Sequence, residues 1–144
     1  MKPNTSTRVL FVCIGNACRS QMAEALARHH ASDIIEATSA GISPLGSIPD
    51  ATRQILLERG VEIGTQRSKG PSEVDLGATD VIVNMTGIPG KSLFQPHLEI
   101  EDWDIDDPYQ EGMPAYRRVC DDVQEKVLDL AKRLRARQAS ATTA

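Results

Sequence analysis

The segment Cys13-Ile-Gly-Asn-Ala-Cys-Arg19-Ser20, named the Cys13 loop here, combines a thiol, a glycine and a guanidinium in a Cys-x5-Arg-Ser pattern. Arginine offers a planar fork that binds two oxygens of a tetrahedral anion, and Gly15 permits a close backbone approach that a Cβ would block. Backbone N–H groups turned into such a loop, ahead of a helix N-terminus, favour a dianion and a thiolate. The predicted chemistry is attack by the Cys13 thiolate on an oxyanion clamped by Arg19, with the Ser20 hydroxyl donating to the sulfur.

A second reactive group is predicted in the segment Asp106-Asp107-Pro108-Tyr109. A thiolate that attacks phosphorus needs a proton donor for the leaving oxygen and afterwards a base for water. Pro108 favours an extended backbone at Asp107, so this carboxyl can be aimed from a loop. Asp106 is predicted to be a solvated turn residue, and Tyr109 is predicted to wall the pocket with an aromatic face.

These groups need a scaffold, and the chain alternates short apolar runs with segments of helical spacing. Strands are predicted at 8–13, 34–39 and 79–84, with a weaker one at 97–100. Helices are predicted at 19–31, from Pro49 to about Gly60, briefly from Ser72, and over a long stretch from Pro114. The alternation predicts a parallel sheet covered on both faces, with the site at the carboxyl ends of its strands.

Composition excludes several classes of function. The 144 residues, 40% hydrophobic and 25% charged, are typical of one soluble domain. A net charge of -4 argues against a protein that binds nucleic acid or anionic lipid over a basic surface. Neither a membrane-spanning apolar run nor a secretory signal is evident, so a cytoplasmic location is expected.

The cysteine count excludes a disulfide scaffold and argues against zinc. Three cysteines, Cys13, Cys18 and Cys120, in a chain without a signal segment indicate reduced thiols. The Cys-x4-Cys spacing has no second His or Cys pair at ligand spacing, and the consecutive His29 and His30 point to different helix faces. We expect no metal and no cofactor.

The sequence resembles the low-molecular-weight protein tyrosine phosphatase superfamily, which also contains thioredoxin-coupled arsenate reductases. The resemblance rests on the Cys13 loop, on Ser39-Ala-Gly41 after the second strand, and on Asp107-Pro108-Tyr109 before the last helix. It implies a single three-layer α/β domain over residues 8–137, with a four-stranded parallel sheet and helices on both faces. Residues 1–7 and 138–144 are expected to be disordered tails.

The resemblance also implies roles for individual residues. Cys13 is expected to be the nucleophile, Arg19 the phosphate clamp and Asp107 the general acid. The residues expected to bind substrate are Ile14, Gly15, Asn16, Ala17, Cys18, Ser20 and Tyr109.

Two branches of the superfamily remain open at this point. Arsenate reductases of the thioredoxin-coupled type need two further cysteines in the loop directly after the third strand. In this sequence that loop, residues 84–92, contains no cysteine, and Met85 occupies the place of the first. Cys120 falls on the predicted buried face of the last helix and cannot substitute, so a reductase would need an external low-molecular-weight thiol or glutaredoxin-like reductant. The phosphatase branch is supported by Tyr109 and by the Cys13/Cys18 pair, which in many family phosphatases can form a protective disulfide. Residues 41–48 lack the aromatic wall common in phosphotyrosine enzymes.

The expected function is hydrolysis of phosphate monoesters through a phosphocysteine at Cys13, with thiol-dependent arsenate reduction as the alternative. The expected substrates are a phosphorylated protein, a small phosphomonoester, or arsenate. The chain is expected to be a monomer or a weak dimer.

Overall fold

Four parallel strands form a single sheet at the centre of the structure. The computed structural model describes residues 6–143, with side chains through residue 140. The strands are β1 (Thr7–Cys13), β2 (Ile35–Gly41), β3 (Val81–Asn84) and β4 (Ile100–Asp102), in the spatial order β2-β1-β3-β4. Every neighbouring pair is parallel, which confirms the predicted sheet. β1 is central and buried from Val9 onward, as its continuous apolar run requires.

The register brings the carboxyl ends of the strands to one edge. Cys13 pairs with Gly41 of β2, and Val12 pairs with Asn84 of β3. A Cβ at Gly41 would come within 2.6 Å of the Asn16 backbone nitrogen, so only glycine allows this approach. The loop that follows β1 therefore lies directly against the end of β2.

Three α-helices cover one face of the sheet and contact one another. They are α1 (Arg19–His30), α2 (Asp50–Leu57) and α3 (Met113–Thr143). Val9, Phe11 and Val83 contribute to the hydrophobic cluster that these helices share. The first nine residues of α1 are all buried, because the helix lies between the sheet and α3.

The last helix, α3, has a narrow apolar face. Val119, Val123, Val127 and Leu130 recur at helical spacing and are each 0% exposed. Cys120 is equally buried, as its predicted position on this face requires. In the described part of the chain, no helix combines the length and the apolar character needed to cross a membrane.

The second face of the sheet is covered by connecting segments that contain 3-10 turns. Leu10, Val12 and Ile82 point into a smaller cluster with partly buried side chains of these segments. The turns span Pro71–Glu73, Leu76–Ala78 and Gly90–Ser92. The short helix predicted from Ser72 is therefore present only as two 3-10 turns, and this stretch contains no α-helix. Val74 and Leu76 both pack on this cluster with a spacing of two, which suits extended backbone rather than a helix.

The ends of several elements differ from the prediction. β4 occupies Ile100–Asp102, later than the predicted strand at 97–100, and β1 begins at Thr7. α3 continues to Thr143, whereas a disordered tail was expected from residue 138. Near its end α3 is held by an ion pair between Arg135 and Asp33 at 2.7 Å, and no Gly or Pro follows to stop the helix. Residues 1–5 of the predicted N-terminal tail, and residue 144, lie outside the described residues.

Candidate active site

The Cys13 loop joins β1 to α1, and neighbouring segments hold its carbonyl oxygens. Three of the donors are backbone amides of the loop after β2, and two are side chains of α1 and α2. The bonds run from Ile42 N to Cys13 O (3.2 Å), Ser43 N to Ile14 O (2.9 Å), Leu45 N to Gly15 O (2.9 Å), Gln21 Nε2 to Asn16 O (3.1 Å) and Thr52 Oγ1 to Ala17 O (2.9 Å). Every peptide plane from Cys13 to Ala17 is thus fixed by its carbonyl.

Fixed carbonyls determine where the amides of the loop point. In a trans peptide the N–H group lies opposite the carbonyl oxygen, so the N–H groups of residues 14–18 face away from these donors. Within the described residues none of these five amides has a protein acceptor. Asn16 has φ 48°, a left-handed conformation that gathers successive N–H groups into a concave anion site.

A buried chain of hydrogen bonds reaches the sulfur of Cys13. Asn16 Nδ2 donates to Ser20 Oγ at 2.8 Å, and Ser20 Oγ lies 2.9 Å from Cys13 Sγ. Because the Ser20 oxygen already accepts from Asn16, its O–H is free to donate to a Cys13 thiolate. Asn16 and Ser20 are both 0% exposed, so their side chains hold the loop from behind, and the part of Asn16 available to a substrate is its backbone N–H group.

Arg19 is the first residue of α1, and its side chain is buried. Its Nη1 donates to Met85 O at 2.6 Å and to Ile105 O at 3.3 Å. Its Nη2 lies 3.6 Å from Asp107 Oδ2, and its buried Nε has no acceptor among the described residues. A buried N–H without an acceptor is costly, and an oxyanion at the loop would supply one.

Asp107 lies on the segment between β4 and α3, at the mouth of the pocket. Its Oδ1 accepts the Tyr109 backbone N–H at 3.1 Å, which fixes the carboxyl in a local turn. Half of its side chain is exposed, so it reaches both solvent and Arg19. Asp106 is exposed and does not line the pocket, as predicted for a solvated turn residue.

The three predicted catalytic residues, Cys13, Arg19 and Asp107, all line one pocket of about 180 Å³. Its walls are Cys13, Ile14, Gly15, Ala17, Cys18, Arg19, Ser43, Leu45, Asp107 and Tyr109. Ser43 and Leu45 were not predicted from the sequence. They reach the pocket because the loop after β2 is bonded to the Cys13 loop. The resemblance indicated a pocket wall within residues 41–48 but did not identify either residue.

The other two thiols, Cys18 and Cys120, are buried. Burial raises the pKa of Cys18, whose Sγ lies 3.4 Å from the Tyr116 hydroxyl. Burial likewise raises the pKa of Tyr116, and that of Cys120 to about 11. All three cysteines are free thiols. Cys18 and Cys120 are therefore protonated near neutral pH.

The turn after β3 is held by side-chain hydrogen bonds. Asn84 Nδ2 donates to Ile88 O at 2.6 Å and to Asp102 Oδ1 at 2.8 Å. Met85 is 0% exposed, at the place where a relay cysteine is expected in arsenate reductases, and its carbonyl holds Arg19.

Among the described residues, no cluster of three His, Cys, Asp or Glu side chains could bind a metal.

Comparison with known proteins identifies the family. The family model described as low molecular weight phosphotyrosine protein phosphatase matches residues 8–140. The chain belongs to this family. Arsenate reductase of Bacillus licheniformis is 32% identical over 132 residues, covering 86% of this chain and 94% of that protein. A probable low molecular weight protein-tyrosine-phosphatase, EpsP of Ralstonia solanacearum, is 31% identical over 140 residues, covering 89% and 96%.

A similar solved structure supports the same architecture. The YwlE arginine phosphatase from Geobacillus stearothermophilus superimposes with a TM-score of 0.81 at 27% identity, covering 93% of this chain and 96% of that one. The family thus includes proteins named as phosphatases and proteins named as arsenate reductases, and both kinds are enzymes.

Alkylation distinguishes the three thiols. Iodoacetate at pH 7 should modify Cys13 at least about tenfold faster than Cys18 or Cys120, because raised pKa values keep those two protonated. Inorganic phosphate should protect Cys13. As the pH rises towards the raised pKa of Cys18, labelling of that thiol should increase.

Mass spectrometry of tryptic peptides provides the measurement. Cys13 and Cys18 share the peptide of residues 9–19, so fragment ions must assign the label, and Cys18→Ala serves as the control. Equal labelling of all three thiols at pH 7 would contradict a stabilised thiolate at Cys13.

Proposed function

We propose that this protein hydrolyses phosphate monoesters through a covalent phosphocysteine at Cys13. One observation carries the proposal: the loop after Cys13 has five amides without an acceptor among the described residues, Arg19 with its unpaired Nε lines the same pocket, and a buried serine can hydrogen-bond the Cys13 sulfur. Such a set of donors matches the oxygens of a phosphate dianion. The same donors favour the thiolate that must attack phosphorus.

The first step transfers the phosphoryl group to sulfur. The Cys13 thiolate attacks phosphorus while Arg19 and the loop amides hold the equatorial oxygens. The bond from phosphorus to the ester oxygen breaks, and Asp107 gives its proton to that oxygen. Asp107 is placed for this role because it lines the pocket and its Oδ2 lies 3.6 Å from Nη2 of Arg19, the side chain that would hold the phosphate.

The second step hydrolyses the intermediate. Asp107, now a carboxylate, accepts a proton from water as the water oxygen attacks phosphorus. The phosphorus–sulfur bond breaks, Cys13 regains its thiolate, and phosphate leaves. Leu45 and Tyr109 at the mouth of the pocket provide apolar contact for the leaving group. The proposed substrates are accordingly a phosphorylated protein or a small phosphomonoester.

Removal of the nucleophile tests the proposal. Cys13→Ser should abolish hydrolysis of p-nitrophenyl phosphate, because the serine hydroxyl is a much weaker nucleophile at neutral pH. Orthovanadate should inhibit the wild type. Release of p-nitrophenol measures both effects, and Cys120→Ser, a buried thiol outside the site, is the matched control. Full activity of Cys13→Ser would end the proposal.

The general acid is tested through the leaving group. Asp107→Asn should slow alkyl phosphates by about 100-fold or more, since their alkoxides need a proton. The same change should slow p-nitrophenyl phosphate less, because p-nitrophenolate leaves without one. Rates for a series of phosphate esters give the comparison, with Asp106→Asn as control. A uniform loss across the series would assign Asp107 a structural role instead.

Arsenate reduction by an external thiol is the second candidate, favoured by the similarity to arsenate reductases. Arsenate has the shape and charge of phosphate, so the Cys13 thiolate would form a sulfur–arsenic bond and displace a hydroxyl group, which takes a proton from Asp107 and leaves as water. A low-molecular-weight thiol then attacks the Cys13 sulfur and forms a mixed disulfide with it. The sulfur–arsenic bond breaks, and its electron pair stays on arsenic, which leaves as arsenite. A second thiol molecule would release Cys13 from the mixed disulfide.

Release of arsenite separates the two candidates. With arsenate and each of several small thiols or a glutaredoxin, a reductase should produce arsenite in proportion to thiol consumed. Cys13→Ser should remove the reaction, whereas Cys120→Ser should not. A lack of turnover with every reductant would exclude this candidate.

A further inference from the structure

Residues 66–69, named the rear segment here, support the Cys13 loop without lining its pocket. The Lys69 amide donates to Asn16 Oδ1 at 2.9 Å, and Gln21 Nε2 donates to Arg67 O at 3.0 Å. Ser68 Oγ donates to Gly15 O at 3.0 Å. An irregular stretch between α2 and β3 is thus bonded, through three successive residues, to the loop and to the helix that follows it.

Ser68 makes a second contact, to the wall of the pocket. Its Oγ accepts the Gly46 backbone N–H at 3.0 Å, so one hydroxyl ties the Cys13 loop to the turn that carries Leu45. Leu45 lines the pocket and is 45% exposed. Ser68 itself reaches the site only through these two backbone groups.

Of the two hydrogen bonds of Ser68 Oγ, the one to Gly15 O has a substitute and, within the described part of the chain, the one from the Gly46 amide does not. Gly15 O also accepts the Leu45 amide at 2.9 Å, so the loop keeps a partner if Ser68 is lost. Among the described residues, Ser68 Oγ is the only acceptor of the Gly46 amide. A Cβ placed on Gly46, whose φ is +89°, would meet no atom within 4 Å, so little packing supports the turn. Leu45 itself is bonded to the loop on one side through its own amide, so Ser68 fixes the other side of the residue, at Gly46. Loss of Ser68 should therefore loosen the turn at Gly46, and with it the Leu45 side chain, more than the loop.

We propose that Ser68 is a positioning residue that holds the Leu45 wall in place and so sets the preference of the site for apolar groups attached to phosphate. The proposal rests on the proposed function, because it concerns the same pocket. The part of the ligand that matters is the organic group beyond the oxyanion, since the oxyanion itself meets only the Cys13 loop and Arg19.

Binding of two inhibitors tests this role without turnover. Dissociation constants of inorganic phosphate and benzylphosphonate are measured by calorimetry on the wild type, Ser68→Ala, Ser68→Thr and Ser72→Ala. Ser72 is an exposed serine on the following 3-10 turn and serves as matched control. Ser68→Ala should weaken benzylphosphonate by about fivefold, the effect of one hydrogen bond, and phosphate by less than about twofold. Ser68→Thr keeps the hydroxyl and should restore wild-type values.

A second variant covers the case in which Ser68→Ala does not fold. Leu45→Ala removes the wall itself and should produce the same selective loss, with Ser68→Thr still binding as wild type. In the double variant Ser68→Ala/Leu45→Ala the two losses should not add, because both act on one wall. Additive losses, equal losses for both ligands, a Ser68→Thr that binds both ligands less tightly, or no loss in Ser68→Ala would overturn the proposal.

Hydrolysis of p-nitrophenyl phosphate by the same preparations separates this proposal from the proposed function. If the wild type binds both ligands but releases no p-nitrophenol, the proposed hydrolase activity is overturned. The role of Ser68 is then judged from the ratios of the dissociation constants alone. A wild type that binds neither ligand would overturn both.

Discussion

Each peptide plane of the Cys13 loop can turn its N–H group to only one side, because its carbonyl oxygen is held on the other. The donors that hold these carbonyls come from the loop after β2, from α1 and from α2. Donors that are oriented before a ligand arrives do not need to reorganise when it binds, which is the main source of electrostatic stabilisation in sites of this kind. The sheet, the helices and the long irregular segments all contribute to keeping five amides in one orientation.

Arg19 illustrates how far the fold supports this arrangement. A guanidinium buried in the first turn of a helix carries a desolvation penalty of several kcal/mol unless its donors are satisfied. Met85 and Ile105 supply carbonyls from two different loops, both at the carboxyl edge of the sheet. The Asn84 side chain, bonded to Ile88 and Asp102, fixes the turn that presents the first of these carbonyls. The remaining Nε is directed by these contacts and has no acceptor in the described part of the chain.

Three cysteines of one chain acquire different properties from their surroundings. Cys13 begins a loop whose amides have no acceptor among the described residues and lies beside a serine hydroxyl, whereas burial raises the pKa of Cys18 and Cys120. The difference follows from which charge the environment can solvate, since amides stabilise an anion and hydrocarbon does not. Burial of Cys120 accordingly disfavours a thiol relay through α3, and the loop directly after β3, residues 85–92, contains no cysteine.

The sequence by itself was enough to predict the Cys13 loop, the first two helices and the parallel sheet. These features depend on short apolar runs and on the local spacing of cysteine, glycine and arginine. Strands β1 and β3 could be predicted because each is buried on both faces and therefore forms a continuous apolar run in the sequence. The prediction failed at Ser72, where packing of Val74 and Leu76 on the sheet outweighs a local helix-start signal. It also failed to identify Leu45 as part of the pocket. Contacts between segments distant in sequence, such as Ser68 with Gly15 and Gly46, were decided only in the tertiary structure, because hydrogen bonds between irregular loops leave no periodic pattern in the sequence.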